Sequence, residues 1–271
     1  MPALYVVATP IGNLEDITLR AIRILKEVQL IAAEDTRKNH ILLSAYGIQT
    51  PMTSYHEHNK LTKLDFILKQ LEEHDVALVS DAGMPGISDP GYELIKEVSK
   101  FNIPIIPIPG PSALISSLVV SGLPTDSFVF LGFLPHKRGE RNKVLKSREK
   151  EISTLVFFES PHRITESLKD ILDILGDRRI SVCREISKIY EEIFRGTVTQ
   201  AIARFTDPRG EFTVILEGNI HAPICLSDTE IENRLLNMHK SGLGAKEAIS
   251  NLASESGRTK KDLYKIWLNI C

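Results

Sequence analysis

Apolar, strand-like runs alternate with helix-like stretches about five times in roughly the first 120 residues. This alternation restricts the fold more than any other feature of the chain. The runs are Leu4–Ala8, Val28–Ala33, Pro51–Tyr55, Val76–Ser80 and Ile103–Ile108. Between them, helices are expected over about Thr18–Lys26, Asn39–Tyr46, Leu61–Glu73 and Pro90–Lys100, and Gly110-Pro111-Ser112-Ala113 starts another. Such repeats predict a doubly wound, mostly parallel sheet, with the ligand-bearing loops at the strands' C-terminal ends. Prolines near the ends of the fifth run predict an edge strand, because proline cannot donate to a ladder.

The stretch from Val76 to Gly91 shows what those loops suit. A buried strand runs into Asp81-Ala82-Gly83-Met84-Pro85-Gly86-Ile87-Ser88-Asp89-Pro90-Gly91, with Asp89 the expected N-cap of the next helix. A strand–loop–helix corner of this kind usually takes a phosphate. Here no Lys, Arg or His occurs between Ala77 and Ile95, whereas Asp81, Asp89 and Glu93 are acidic. A loop with that charge suits hydroxyls and cationic groups, such as a nucleoside ligand bearing a sulfonium or ammonium. The alternative is a tight βα turn whose aspartates only cap. No G-x-G-x-x-G or Walker A pattern occurs, which argues against dinucleotides and nucleoside triphosphates.

Beyond a linker at Gly122-Leu-Pro124-Thr, a second α/β unit is expected. Its strands are Phe128–Phe133, Thr154–Phe158, Ile180–Glu185, a short one within Tyr190–Thr197, and Glu211–Leu216. Its helices are a basic one over Arg138–Lys150, one ending at Leu175, and Thr199–Phe205. From Ser227 the chain reads as three helices, Thr229–His239, Ala245–Ser254 and Lys260–Leu268, the last with Thr259 as N-cap. This module reads either as a packing cap or as helix-turn-helix-like, and its seven Lys/Arg against six Asp/Glu leave no net electrostatic footprint. The expected domains are 1–121, 122–222 and 223–271: two α/β domains and a small helical module.

Composition narrows the class. Of the 271 residues, 42% are hydrophobic and 25% charged, as in globular proteins, and no run resembles a membrane span. The net charge of −2 excludes a wholly basic coat protein but not one local RNA-binding face. Three scattered cysteines form no C-x-x-C, and Met1-Pro-Ala-Leu-Tyr leads directly into a strand without signal-peptide regions, so a reducing cytoplasm is expected.

Several groups are candidates for chemistry. His56-x-His58 has no further Cys or His cluster beside it, so solvated or substrate-facing imidazoles are expected rather than a metal site. Cys183 sits in an apolar strand as a core thiol. The segment His136–Arg148 holds six Lys/Arg against Glu140, either as a solvated helix face or as a contact to a phosphate backbone. Glu34-Asp35-Thr36-Arg37, and Arg184-Glu185-x-x-Lys188 with Glu191, Glu192 and Arg195, read as structural ion pairs or as the lining of a polar cleft.

Seven stretches in order carry a resemblance to a known family. They are Val7-Ala-Thr-Pro-Ile-Gly-Asn-Leu-Glu-Asp16, Ala33-Glu-Asp-Thr-Arg37, Ser80–Gly91, Pro109-Gly-Pro-Ser-Ala113, Phe130-Leu-Gly-Phe-Leu-Pro135, Phe157-Phe-Glu-Ser-Pro-His-Arg163 and Gly210-Glu-Phe-Thr213. The chain resembles the tetrapyrrole methylase superfamily, the class III S-adenosylmethionine-dependent methyltransferases. The Pro10-Ile11-Gly12 form of the first loop replaces the glycine-rich loop of tetrapyrrole-modifying members and is similar to that of the branch acting on small-subunit ribosomal RNA.

The resemblance implies 2′-O-methylation of a cytidine in the 16S rRNA decoding centre by a cytoplasmic homodimer that needs no metal. It implies that S-adenosyl-L-methionine lies between the two α/β domains. Pro10, Ile11, Gly12, Asp81, Ala82, Gly83, Met84, Pro85, Ser112 and Ala113 would hold it on one side, and Phe158, Glu211 and Phe212 on the other. A ribose hydroxyl is a weak nucleophile, so a base or a pKa-lowering cation should assist it, with Glu159, Glu185 and Lys188 as candidates. Glu34, Asp35, Arg37, His56, Asn59, Arg138, Arg141, Lys143, Arg163 and Arg184 are expected to face the RNA. The alternatives are a methylase of porphyrin or corrin precursors and a non-catalytic ribosome-associated RNA-binding factor.

Overall fold

A computed structural model describes residues 2–56, 59–219, 227–256 and 258–270. His58, Cys225, Cys271 and the expected boundary at 222/223 lie outside these residues. The described chain divides into two compact units. The first comprises Met1–Lys146 with Thr154–Glu217, and the second Ser147–Ser153 with Gly218–Cys271.

In the first unit, β1 (Leu4–Val7), β2 (Leu30–Ala33), β3 (Met52–Ser54), β4 (Val76–Val79) and β5 (Ile105–Ile108) form a parallel sheet in the order β3-β2-β4-β1-β5. The helices between them are α1 (Leu19–Glu27), α2 (Thr36–Ala45), α3 (Lys60–Gln70) and α4 (Tyr92–Lys100), and α5 (Ala113–Val120) follows β5. Strand side chains alternate between faces, and both faces are covered, which is why these strands are apolar throughout. Ile31, Ala33, Ala77 and Val79 pack with Ile24 and Leu25 of α1 and Leu42 of α2. Leu30, Ala32, Val76 and Leu78 pack with Ile67 of α3 and Leu94 and Val98 of α4. The proline-bearing β5 lies at the sheet edge, as the sequence predicts.

Two helix starts differ from expectation. α2 begins at Thr36 rather than Asn39, because Asp35 Oδ1 accepts the Arg37 N–H and caps the helix earlier. Asp89 is not the cap of α4. Gly91 takes that place at φ 146°, where an added Cβ would lie 3.2 Å from the Gly86 nitrogen, so Asp89 is free to turn elsewhere.

The second sheet of this unit is mixed. Its strands are β6 (Phe128–Phe133), β7 (Thr154–Glu159), β8 (Arg179–Arg184), β9 (Glu192–Thr197) and β10 (Phe212–Leu216), in the order β6-β7-β10-β8-β9. β6 and β7 are parallel and the other pairs antiparallel. One face packs on α6 (Arg138–Ser147), α7 (Ile164–Leu175) and α8 (Val198–Arg204) through Leu145, Leu168, Ile171 and Ala201. The other face receives Leu118 of α5 against Val156, Cys183 and Ile215. The helix that ends the first α/β half therefore forms part of the second half's core, and residue 121/122 falls inside one compact unit. The basic helix stops at Ser147, short of the expected Lys150.

The second unit holds α9 (Asp228–Lys240), α10 (Ala245–Ser256) and α11 (Lys260–Ile270) around Ile231, Leu235, Leu252, Leu263 and Trp267. α9 opens with a reciprocal capping box between Ser227 and Glu230, and Thr259 Oγ1 accepts the Asp262 N–H at the start of α11. No described helix is long and apolar enough to cross a membrane.

Candidate active site

The loops after β1 and β4 are joined by two backbone hydrogen bonds. Thr9 N–H donates to Gly83 O at 2.9 Å, and Gly83 N–H donates to Thr9 O at 3.0 Å. Thr9 Oγ1 also donates to the carbonyl of the fully buried Ser80, at 3.2 Å. With the start of α5, where Ser112 caps the helix by accepting the Ile115 N–H, these loops form one wall of a cavity of about 580 Å³. Ile11, Ala82, Gly83, Met84, Ser112 and Ala113 line that wall. Phe158, Glu211 and Phe212 line the opposite wall, from the second sheet. Phe158 is held there edge-on by Phe130, with ring centroids 5.1 Å apart. Pro10, Gly12, Asp81 and Pro85, expected beside the same ligand, do not line the cavity.

All three candidate catalytic groups line the cavity, but they are not equivalent. Glu159 is 2% exposed and fully engaged. Its Oε1 accepts from Arg163 Nε and from the Ser160 N–H, both at 2.8 Å, and from Arg163 Nη2, while Oε2 accepts from Ser167 Oγ at 2.6 Å. Arg163 also reaches the Leu134 carbonyl at 3.0 Å. Glu159 and Arg163 thus form the ion pair that ties the end of β7 to the start of α7, so Glu159 is committed to structural hydrogen bonds, and Arg163 to Glu159 and the Leu134 carbonyl.

Glu185 and Lys188 form the polar edge of the cavity. Lys188 Nζ donates to Glu185 Oε1 and to Glu211 Oε2, each at 2.8 Å, and Glu185 Oε1 also accepts the Glu211 N–H at 2.9 Å. Burial alone would lift the Glu185 carboxyl, but hydrogen bonds from Lys188 and the Glu211 backbone outweigh it and hold the carboxyl below its ordinary value. Burial likewise works against the Lys188 ammonium, and its two carboxylate partners raise its pKa above the ordinary value. Lys188 is therefore a fixed cation, not a neutral base.

The loop carrying this pair is held under strain. Glu185 and Ser187 have φ of 51° and 68°, a left-handed conformation costing of order 1–3 kcal/mol in non-glycine residues. Ser187 is anchored by its hydroxyl on Asp16 and by its N–H on Glu191 Oε2. Two glycines make room for the side chains. A Cβ on Gly12 would fall 2.3 Å from Lys188 Cγ, and one on Gly210 would fall 2.4 Å from Glu185 Cγ. Gly12 thus acts through the lysine that crosses it rather than through the cavity wall.

On the opposite wall the carboxylates have weaker compensation. Asp89, released from capping, lines the cavity, and its carboxyl is pushed up to about 7 by burial and by the nearby Glu34 and Asp81, against a hydrogen bond with Ser80. Glu34 is raised as well, chiefly by burial. Asp81 turns away from the cavity toward the start of α2. There it accepts the Asp35 N–H at 3.0 Å and pairs with Lys38 at 2.8 Å, while its own N–H donates to Glu34. The loop motif identified Asp89 as a cap and as part of an acidic loop, but not as the carboxylate that lines the cavity, since nothing local in sequence shows that Gly91 displaces it from the cap.

None of the residues expected to face RNA lines the cavity. Arg141 is 1% exposed and donates through Nε to Asp170 Oδ2 at 2.8 Å, which corrects its assignment to a phosphate contact. Arg138 pairs with Asp170 at 2.8 Å and with Asp173, so of the three α6 cations proposed for RNA only Lys143 is exposed without an ion pair among the described residues. Arg184 pairs with Glu192, and Arg37, almost wholly exposed, pairs with Asp35. Asn59 closes a local turn, accepting the His56 N–H and donating to Ser54. Among the described residues no three His, Cys, Asp or Glu side chains are grouped to hold a metal ion.

A family model described as Tetrapyrrole (Corrin/Porphyrin) Methylases matches residues 3–202. A protein of Halalkalibacterium halodurans named "Ribosomal RNA small subunit methyltransferase I" is 47% identical, over 97% of this chain and 94% of that protein. Its namesake from Thermotoga maritima is 50% identical over 80% of this chain and 99% of its own, and that from Bacillus subtilis 42% identical over 97% and 93%. In fold, the chain is similar to a crystal structure of uroporphyrin-III-C-methyltransferase from Thermus thermophilus, with a TM-score of 0.57 and 17% identity over 79% of this chain and 94% of that one. The chain belongs to the tetrapyrrole (corrin/porphyrin) methylase family, among the members called ribosomal RNA small subunit methyltransferase I.

Proposed function

We propose that this chain methylates the 2′-hydroxyl of a cytidine ribose in the decoding centre of 16S rRNA, using S-adenosyl-L-methionine. The observation that carries the reading is a fixed ammonium, Lys188, between Glu185 and Glu211 at the edge of an acidic, largely apolar cavity. The names of the relatives support the rRNA substrate.

The cavity fits the cofactor in charge and in shape. Asp89, Glu185 and Glu211 line it, and among the described lysines and arginines only Lys188 does, itself already bridging two carboxylates, so a cationic ligand is favoured over a phosphate. Ile11, Met84, Leu114 and Phe158 supply apolar surface for an aromatic base and a thioether-like chain. When bound, S-adenosyl-L-methionine supplies an electrophilic methyl group on its sulfonium. The protein's part is positioning and electrostatics. The ribose proton leaves to solvent water, Lys188 Nζ stabilises the negative charge left on the attacking oxygen, and Glu185, held ionised, fixes the direction of that ammonium. The Glu159–Arg163 pair keeps the wall carrying Phe158 in place without touching the reacting atoms.

The same reading makes the protein a cytoplasmic homodimer acting on the small ribosomal subunit, without a metal; sedimentation equilibrium measures its oligomeric state. Calorimetric titration with S-adenosyl-L-methionine should show saturable binding, and its absence would favour a non-catalytic RNA-binding factor. Ribose-methylation mapping of 16S rRNA from a strain lacking the chain should show one cytidine unmethylated. An unchanged map sinks the rRNA reading.

A further inference from the structure

The charges of the second unit balance in number but not in place. Asp228, Glu230 and Glu232 lie at the start of α9, where Asp228 pairs with Arg258 and Glu230 closes the capping box. The starts of α10 and α11 instead border an open groove of about 980 Å³ lined by Lys246, Lys260 and Lys261, with Glu247 the only carboxylate lining it among the described residues. Lys246 and Lys261 make no ion pair among the described residues, and Lys260 Nζ donates only to Ser250 Oγ, at 3.3 Å. Tyr264, half exposed and one helical turn beyond Lys260 and Lys261, lines the same groove above the buried Ile249.

We propose that this groove is a second contact to the rRNA substrate, one that grips a single-stranded or loop segment by its phosphates and stacks a base on Tyr264. The inference rests on the rRNA reading above. Lysine ammoniums paired to no carboxylate complement a polyanion, and an aromatic face in the same groove is the usual platform for an unstacked base. Among the described residues the groove carries no Arg, Asn or Gln fork of the kind that reads base edges, so the contact is to backbone and independent of sequence. α6 is the poorer candidate for this role, because Asp170 neutralises Arg138 and encloses Arg141.

The test uses the full chain and small-subunit rRNA, with binding followed by fluorescence anisotropy across a salt series. Lys246→Gln/Lys260→Gln/Lys261→Gln should weaken binding at least ~10-fold at low salt. It should also flatten the slope of log K against log[salt] by about 2, as expected for three phosphate contacts on a single strand. Tyr264→Ala should weaken binding with the slope unchanged, since stacking releases no counterions, while Tyr264→Phe keeps the wild-type affinity. Calorimetric binding of S-adenosyl-L-methionine and the thermal midpoint should stay as in wild type, which separates a lost contact from lost folding. Unchanged affinity and slope in the triple variant, with wild-type rRNA binding intact, overturns the groove alone. Absence of wild-type rRNA binding overturns the groove and the rRNA reading together. Equal affinity for vesicles of anionic phospholipid would assign the groove to a lipid surface and overturn the proposal.

Discussion

The two walls of the cavity treat their carboxylates in opposite ways. On the second-sheet wall each acid has a cation against it: Glu159 has Arg163, and Glu185 and Glu211 share Lys188. On the first-sheet wall Asp89 lines the cavity with Glu34 and Asp81 crowded behind it, and Lys38 pairs with Asp81 on the exposed side, away from the cavity. One wall carries its own counter-charge, and the other is left short of one. On the proposed function, a cationic ligand would be held from the first-sheet side, with the internal cation facing it from the second. This division of charge suits a site that binds a sulfonium and stabilises negative charge on an attacking oxygen.

The comparison is most easily broken at Glu159. Glu159→Ala leaves the half-buried Arg163 without its carboxylate, held only by the Leu134 carbonyl, and should cost about 3 kcal/mol of stability by urea denaturation. A loss well under 1 kcal/mol together with abolished turnover would return Glu159 to the chemistry. Next in size is Lys188→Ala, which removes the internal cation and should lower turnover by about 10²–10³-fold while S-adenosyl-L-methionine still binds. Single-turnover kinetics beside calorimetry distinguish this from a binding defect.

Asp89→Asn tests the other wall through pH. The folded carboxyl titrates at about 7, above its ordinary value of 3.8, so its contribution to stability is complete below about 4 and lost as pH rises through about 7. Ionisation over the same range adds an anion beside the ligand, so S-adenosyl-L-methionine should bind more tightly at pH 8 than at pH 5.5. Asp89→Asn should flatten both profiles, and pH-independent affinity in wild type would remove Asp89 from ligand binding. The smallest effect is expected from Asp81→Asn. It breaks a bridge to the mostly exposed Lys38, worth less than about 1 kcal/mol, and should leave ligand affinity within roughly two-fold.

The alternation of elements, the edge position of β5, the meeting of the β1 and β4 loops and the proximity of Glu185 and Lys188 were legible because each rests on local pattern or short spacing. Lys188 follows Glu185 by one turn, so the pair forms within a single loop. Arg141 and Asp170 are far apart in sequence, and a basic run looks solvated until α7 is packed against it. Asp89 and Asp81 lie in one loop and both read as acidic, yet one turns into the cavity and the other toward α2. The choice follows from Gly91 taking the cap and from the Asp35 N–H and Lys38 waiting on the neighbouring element.

The chain's own order of residues thus determined the strands, the helices and the acidic character of the loop, because hydrophobic period and turn chemistry act over a few residues. Only the tertiary structure decided which carboxylates are neutralised, which cations are enclosed and which remain free for a partner. Those outcomes depend on burial and on charges brought together from distant segments, and neither exists until the two sheets close on α5.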